Sequence, residues 1–360
     1  MGVNKHIAIL CDYKLLPERI GGMDQFFWAF HKKCEQEGIK VDWFFPNISH
    51  HSGYANFDII ATDDDTSIEF TFLSSLKQKK PKYDVVVTHF LELCTPFFQE
   101  AKIRTKARII AVDHNPRPLG GYSRTKRVMK KLKGRLYSKF IDVFVGVSHY
   151  TVFEMQKDFG RRIAHKCETI YNGVIIDHIL IQKDRKKLNP RFLVASHLRE
   201  SKGIQDLITA VSLLSSEITK ELTIDIYGDG PYKSQLETMV AEKGLHHVFQ
   251  FMGNSPTLHT TYAAYDYMIQ PTYMECFSLS ILESLAANVP VITTPVGGNE
   301  EAIVGGENGY IFAAKDTQAL KGIIERLYEG KQGITINTRT AIAQEFTMNQ
   351  MVHNHYKLIQ

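Results

Sequence analysis

Two hydrophobic patterns alternate along the first half of the chain. Short, nearly continuous apolar runs fall at His6–Cys11, Val41–Phe45, Asp84–His89, Arg108–Val112 and Asp142–Val147. Runs of this length without polar alternation predict parallel strands buried on both faces. Between them the apolar positions take a helical spacing. In Met23–Glu37, for example, Phe26, Phe27, Phe30 and Cys34 make one face and Gly38 ends the segment. Strand and helix in alternation predict a doubly wound sheet.

The same grammar restarts further on, with strands at Arg191–Ala195, Leu222–Tyr227, Phe249–Met252, Tyr267–Gln270, Val289–Thr293 and Tyr310–Phe312. Helices fall between them, as at Gly203–Leu214 and Tyr232–Lys243. The charged run Ile181–Pro190 (IQKDRKKLNP) separates the halves and reads as an exposed linker. The pattern predicts two Rossmann-like domains, residues 1–175 and 176–345. A last helix in 346–360, apolar at Met348, Met351, Val352, Tyr356 and Leu358, returns to the first. Ligands of such sheets lie beyond the carboxyl ends of the strands, so the default site is a cleft between facing domains.

Composition narrows the class. With 360 residues, 44% hydrophobic and 23% charged, the chain is neither fibrous nor disordered. The net charge of +4 is too small for a general nucleic-acid binder, and none is expected as a partner. Cys11, Cys34, Cys94, Cys167 and Cys276 are scattered, without CxxC spacing, which fits a reducing cytosol. The start, MGVNKHIAILCDY, lacks a signal-peptide pattern, and no apolar stretch is long enough to span a bilayer.

The chemistry concentrates in Tyr273–Ile303, YMECFSLSILESLAANVPVITTPVGGNEEAI. A strand leads into a loop holding Glu275, a helix starts near Ser278, and Glu283 sits about one turn inside it. The backbone N–H groups from Phe277 through Ser278 and Leu279 to Ser280 have no partner within the helix. With the partial positive charge of a helix start they suit a phosphate or sugar oxygen. Two flanking carboxylates suit sugar and ribose hydroxyls. Alone, such a spacing is no more than a capped surface helix; here a strand precedes it and a strand with the Gly297–Gly298 pair follows.

Glu275 and Glu283 match the E-x7-E signature of the family 4 retaining glycosyltransferases, which the chain resembles. Further matches run in order along most of the chain: Gly21–Gly22, His114, YNGV (Tyr171–Val174), Lys202–Gly203, YGDGP (Tyr227–Pro231) and NGYIF (Asn308–Phe312). The resemblance implies the GT-B fold, two Rossmann-like domains facing across a cleft. It implies transfer of a hexosyl-type sugar from a nucleotide diphosphate donor, with retention at the anomeric carbon. It puts the nucleotide, most commonly UDP, on the C-terminal domain and the acceptor on the N-terminal one. No divalent metal and no other cofactor is expected. Asp63–Asp65 reads as a solvated loop, not a metal-binding D-x-D.

The resemblance also assigns roles. Glu275 and His114 would hold the transferred sugar and Glu283 the ribose. Lys202 would neutralise the leaving diphosphate, a transition-state stabilisation. Relatives carry an Arg five positions before that Lys on a glycine turn; this chain has His197 there, with Ser196 for the glycine and Arg199 two residues on. Either Arg199 replaces the missing cation or His197 gives one hydrogen bond, weaker on phosphate than an Arg fork. Gly21 and Gly22 would admit donor phosphate or acceptor close to the backbone. Gly228 either lines the nucleotide pocket or makes a tight turn, and Phe251–Asn254 could face the base. Asp113 is a candidate to orient His114, and Glu300 or Glu301 a candidate sugar contact.

Nine basic residues and no acidic one lie between Arg117 and Lys139. Val128, Leu132, Leu136 and Phe140 recur every four residues, so the segment 122–140 reads as a basic amphipathic helix. Its apolar stripe is expected to pack on the sheet. Its charges would meet either an anionic membrane surface or an anionic acceptor. The leading reading is a cytoplasmic glycosyltransferase, peripheral on the inner face of the membrane, in surface polysaccharide, lipopolysaccharide or glycolipid synthesis. A nucleotide-sugar epimerase or hydrolase, or a non-catalytic binding protein on the same scaffold, is the alternative. A nicotinamide-dependent oxidoreductase ranks low, because no G-x-G-x-x-G follows the first strand.

Overall fold

A computed structural model describes residues 5–16, 20–63, 66–78 and 81–360. By their contacts the residues divide into two units, Met1–Tyr171 with Met348–Gln360, and Asn172–Thr347. Each is built on one parallel sheet.

The first sheet has seven strands: β1 (His6–Cys11), β2 (Lys40–Phe45), β3 (Asp58–Ala61), β4 (Val85–His89), β5 (Arg108–Asp113), β6 (Val143–Gly146) and β7 (Cys167–Thr169). Their order is β3-β2-β1-β4-β5-β6-β7. The expected strands are all present, within one or two residues at their ends. The two edge strands β3 and β7 were not expected. Both are largely half-exposed, so neither carries the apolar run that marks a buried strand.

Helix Gly22–Gln36 buries Phe26, Phe27, Phe30 and Cys34 as its spacing predicts. The C-terminal helix Met348–Ile359 docks beside it, burying Met351, Val352, His355, Leu358 and Ile359. Arg108 Nη1 holds its end by donating to the Leu358 carbonyl at 2.8 Å, and Lys5 Nζ donates to the Gln360 carbonyl at 2.6 Å.

The second sheet has β8 (Phe192–Ala195), β9 (Ile224–Tyr227), β10 (Phe249–Gly253), β11 (Tyr267–Gln270), β12 (Val291–Thr293) and β13 (Gly309–Ile311). Its order is β10-β9-β8-β11-β12-β13. The winding reverses between β8 and β11, and between β1 and β4 in the first sheet. At such switch points the loops beyond the strand ends open a crevice. The helices Ile204–Ser212 and Thr317–Tyr328 supply much of the core, through Leu207, Ile208, Val211, Leu320 and Ile324.

The run 181–190 is not the linker its charges suggest. It belongs to the second unit and is tied into it. The Arg185 guanidinium donates to the Ile334 carbonyl and, at 2.7 Å, to the Asn288 carbonyl. Asp266 accepts the backbone N–H groups of Lys186 and Arg191 at 2.7 and 2.8 Å. The boundary between the units falls at Tyr171/Asn172, earlier than the expected 175/176.

The basic helix also departs from expectation. It spans Arg124–Tyr137, and Gly134 is its one buried residue. Val128, Leu132 and Leu136, expected to pack on the sheet, are 62%, 56% and 49% exposed, with Met129 beside them at 55%. The helix is held by its opposite face. Gly134 lies on the backbone of Phe159, Lys130 pairs with Asp158 at 3.4 Å, and Lys133 pairs with Glu92 at 2.7 Å. Of the predicted stripe, Phe140 alone packs against the core. Among the described residues no helix is long and apolar enough to cross a membrane.

Candidate active site

Four loops meet at the carboxyl edge of the second sheet, and glycines let them close up. Gly203 has φ of +70°, and a Cβ there would fall 1.8 Å from the Pro271 carbonyl oxygen. Gly228, at +126°, would put one 1.9 Å from the Ser196 carbonyl oxygen. Gly297, at +69°, would put one 2.3 Å from the Glu275 carbonyl oxygen. None of the three tolerates another residue without moving a backbone. Backbone bonds complete the weave: Leu198 N to Asp229 O at 2.9 Å, Tyr273 N to Ser201 O at 2.7 Å, and Gly298 N to Cys276 O at 2.8 Å. Gly228 thus serves the loop packing.

This weave sets the chemistry in place. Lys202 follows β8 and Glu275 follows β11, the two strands at the switch point. Lys202 Nζ donates to Glu275 Oε2 at 2.8 Å, and both side chains are about four-fifths buried. The other carboxylate oxygen, Oε1, accepts the Cys276 N–H at 3.1 Å. A cation and a carboxylate, adjacent and largely desolvated, form a pair of the kind that can bind phosphate and hydroxyl groups.

The helix beyond them spans Leu279–Ala286, with Ser278 at its N-cap. The Ser278 hydroxyl does not cap it. It receives Gln270 Nε2 at 2.8 Å and lies 3.1 Å from the Ser280 hydroxyl. The first-turn N–H groups therefore have no side-chain cap. Phe277 is buried, and its carbonyl accepts Asn172 Nδ2 at 3.0 Å. Glu283 Oε2 accepts the Tyr262 hydroxyl at 3.0 Å. Burial pushes the Glu283 carboxyl up to about 7, and the Tyr262 bond offsets this in part.

His197 is half-buried in the loop after β8 and Arg199 is exposed. Phe251 packs against the core. Glu300 is exposed and Glu301 half-buried on the short helix after Gly298.

Gly21, Gly22 and His114 lie on the first unit, after β1 and β5. Gly21 is the N-cap of helix Gly22–Gln36, and its N–H is accepted by Asp24 Oδ2 at 2.9 Å. Tyr13 and Tyr54 donate to the same buried carboxylate at 2.8 and 2.6 Å. His114 is buried, stacked on Phe90 with ring centroids 4.2 Å apart. Its orienting neighbour is His89, whose Nδ1 lies 3.0 Å from His114 Nε2. The proposed Asp113 is otherwise engaged: it accepts Arg117 Nη2 at 2.8 Å and the Asn115 N–H at 2.9 Å. His355 completes a buried trio, its ring 5.8 Å from that of His89. Burial lowers all three imidazoles, His114 and His355 to about 3. Of the aspartate triplet, Asp63 is exposed, and Asp64 and Asp65 lie outside the described residues.

Gln270, Tyr262, His89, Asp24 and His355 were not anticipated. Two carried a readable signal: Gln270 ends the run YMIQ and His89 ends VVVTH. A polar residue closing a buried parallel strand faces the ligand edge.

Two doubly wound units in succession, the second with uncapped helix N–H groups beside a Lys–Glu pair at its switch point, define a GT-B glycosyltransferase architecture. The comparisons agree. The family described as Glycosyltransferase Family 4 matches residues 20–178, and Glycosyl transferases group 1 matches residues 177–345. The chain belongs to the GT-B glycosyltransferases of this family-4-like kind.

The N-acetyl-alpha-D-glucosaminyl L-malate synthase of Bacillus anthracis is 24% identical over 226 residues, 59% of this chain and 58% of that one. The lipopolysaccharide core biosynthesis mannosyltransferase LpsB of Rhizobium meliloti is 37% identical over 91 residues, 25% of this chain and 26% of that one. These matches take in about half the relatives' length or less. The crystal structure of Anabaena HepE in complex with UDP superposes with a TM-score of 0.78 over 98% of this chain and 99% of its own. At 16% identity that is a likeness of fold.

Proposed function

We propose that the protein is a retaining hexosyltransferase that takes its sugar from a UDP-sugar and passes it to a glycan or lipid-linked acceptor in surface polysaccharide, lipopolysaccharide or glycolipid assembly. The observation that carries the reading is the Lys202–Glu275 pair beside the uncapped helix start. The UDP bound to HepE and the part that LpsB, by its name, takes in lipopolysaccharide core biosynthesis support the choice of nucleotide and product.

In this reading the second unit binds the donor. Lys202 and the N–H groups of Phe277, Ser278 and Leu279 hold the diphosphate, with His197 or Arg199 beside them. Glu283 accepts the ribose hydroxyls, and Glu275 and His114 hold the transferred sugar. Gly21 and Gly22 begin the acceptor-side helix. The acceptor oxygen bonds to the anomeric carbon as the bond to the diphosphate oxygen breaks. The acceptor's proton passes to the leaving diphosphate, and attack on the departing face retains configuration. Charge on that leaving group is neutralised by Lys202 and the helix start, so no metal is required.

The enzyme works in the cytoplasm, resting its basic helix on the anionic inner face of the membrane. Support comes from the exposed Val128, Met129, Leu132 and Leu136, flanked by Arg124, Lys131 and Arg135, the composition of an interfacial helix.

Thermal shift with UDP, GDP and ADP, in EDTA, tests the donor. UDP alone should raise the melting temperature, by mass action. Glu275→Gln should keep that shift and lose at least a hundredfold in turnover. Wild-type turnover in the variant defeats the assignment. Free sugar released without acceptor would favour a hydrolase.

A further inference from the structure

A cavity of about 530 Å³ opens in the second unit at the end of the sheet opposite the donor loops. Tyr267 begins β11 and Asn288 precedes β12, and both line it. The Lys202–Glu275 pair lies beyond the far ends of β8 and β11, at least the length of a strand away. One wall carries Lys183, Arg185, Lys186 and Lys187. The floor is the Tyr267 ring with Leu327 and Ile334. No acidic side chain lines it among the described residues, and none of the four cations forms an ion pair there.

A run of surface lysines is ordinarily a solvated face. This run differs in being docked. Besides the Arg185 and Lys186 bonds, Gly330 at φ of +67° lets the Lys187 carbonyl and Leu188 approach the end of helix Thr317–Tyr328. A Cβ there would fall 2.9 and 2.7 Å from them. Arg185 Nε is buried with no hydrogen-bond partner, and burial lowers the guanidinium pKa. Its other nitrogens meet neutral carbonyl groups. Asp266, whose charge favours it, is committed to two backbone N–H groups. The fold therefore holds four positive charges around one concavity with, among the described residues, no carboxylate lining it and no ion pair to any of the four; the Asp266 charge acts on Arg185 from behind the wall. The volume falls in the range of small-molecule sites, roughly 300–1,000 Å³.

We propose that this cavity is a second ligand site, taking the phosphoryl group of a small phosphorylated metabolite. Lys183, Lys186 and Lys187 face the phosphate. Arg185 positions the wall. The body of the ligand covers the Tyr267 ring and Ile334, with Gln332 and Thr335 for its hydroxyls. Such a site is distinct from the donor nucleotide's and would regulate or prime the enzyme.

The test uses the full chain saturated with UDP, so that the donor site is closed to the probe. Inorganic pyrophosphate is then titrated while the melting temperature is read, against sodium chloride at matched ionic strength. The comparison is the triple variant Lys183→Ala, Lys186→Ala, Lys187→Ala, whose exposed side chains leave the fold intact. At about a hundred times Kd the wild type should rise by roughly 5 °C over the salt control. The triple variant should rise by less than a fifth of that and keep its full UDP shift. An equal rise in both proteins, or an equal rise with chloride, overturns the site.

If UDP itself gives no shift, the donor reading fails, while the pyrophosphate difference between the two proteins still decides this one. No pyrophosphate shift, with binding to phosphatidylglycerol vesicles that the triple variant loses, would overturn the metabolite and assign the face to a bilayer.

Discussion

Two basic stretches exchange the roles that their sequences suggest. Arg117–Lys139 has a regular apolar stripe and so should be a packed helix; 181–190 has none and so should be a loose tether. In the fold the helix turns its stripe outward and is anchored through Gly134, Lys130 and Lys133. The tether is stitched to three places in the second unit by Arg185 and Asp266. Periodicity states that a face is apolar, not what covers it. Charge states that a segment tolerates water, not that it is free.

Acid sharpens the contrast most. The Arg and Lys cations of both basic stretches keep their charge as pH falls. The buried trio His89, His114 and His355 changes its charge. Each imidazole is neutral in the fold with a lowered pKa, and takes up a proton near 6.5 once unfolded. Their contribution is fully present above pH 6.5 and is lost as pH falls from there, for His114 and His355 towards about 3. The three share this loss, because a proton on one ring disfavours a proton on its neighbours. Hydrogen exchange should show the docked helix Met348–Ile359 opening in that window before 181–190 does. Simultaneous opening would mean that the trio does not govern the first unit.

Arg185→Ala comes next. It leaves the Asn288 and Ile334 carbonyls without their donor and should cost about 2–4 kcal/mol in a urea titration. Lys131→Ala on the helix should cost less than about 0.5 kcal/mol. Equal costs would return 181–190 to the status of a tether.

Gly134→Ala would bring a Cβ to 2.3 Å from the Phe159 carbonyl oxygen. Despite alanine's better helix propensity it should destabilise by about 1–3 kcal/mol. A stabilised variant would show that the helix is not anchored at this face.

The smallest effect on stability belongs to Val128→Ser, Leu132→Ser and Leu136→Ser together, within about 0.5 kcal/mol of wild type because none is buried. The same variant should lose at least tenfold in co-sedimentation with anionic vesicles. A large drop in stability with unchanged vesicle binding would restore the packed stripe.

One further dependence tests the proposed donor site. Ribose hydroxyls donate to a carboxylate, and Glu283 sits at about 7 in the free protein. UDP affinity should be constant above pH 7 and weaken up to tenfold per unit below it, as binding must first release the proton. Calorimetry at pH 6 and 8 checks this.

The sequence by itself determined the architecture and the order along the chain of the Lys202, Glu275 and Glu283 loops and helix at the switch point. Continuous apolar runs of strand length admit little but buried parallel strands. Glu275, Lys202 and the glycines stand in the loops after strand ends, and Glu283 in the helix that follows, where chain order and local turn chemistry suffice. What stayed hidden depended on partners distant in sequence. The β3 and β7 edges lack a buried face to reveal them. His89 orients His114 from 25 residues away, while the nearer Asp113 is spent on Arg117. Gln270, not the helix, receives the Ser278 hydroxyl. Only the tertiary structure decided which face of the basic helix meets protein, and that Arg185 lies against the carbonyls of Asn288 and Ile334. Burial and hydrogen bonding are settled by what lies opposite a residue, and a linear pattern carries no record of that.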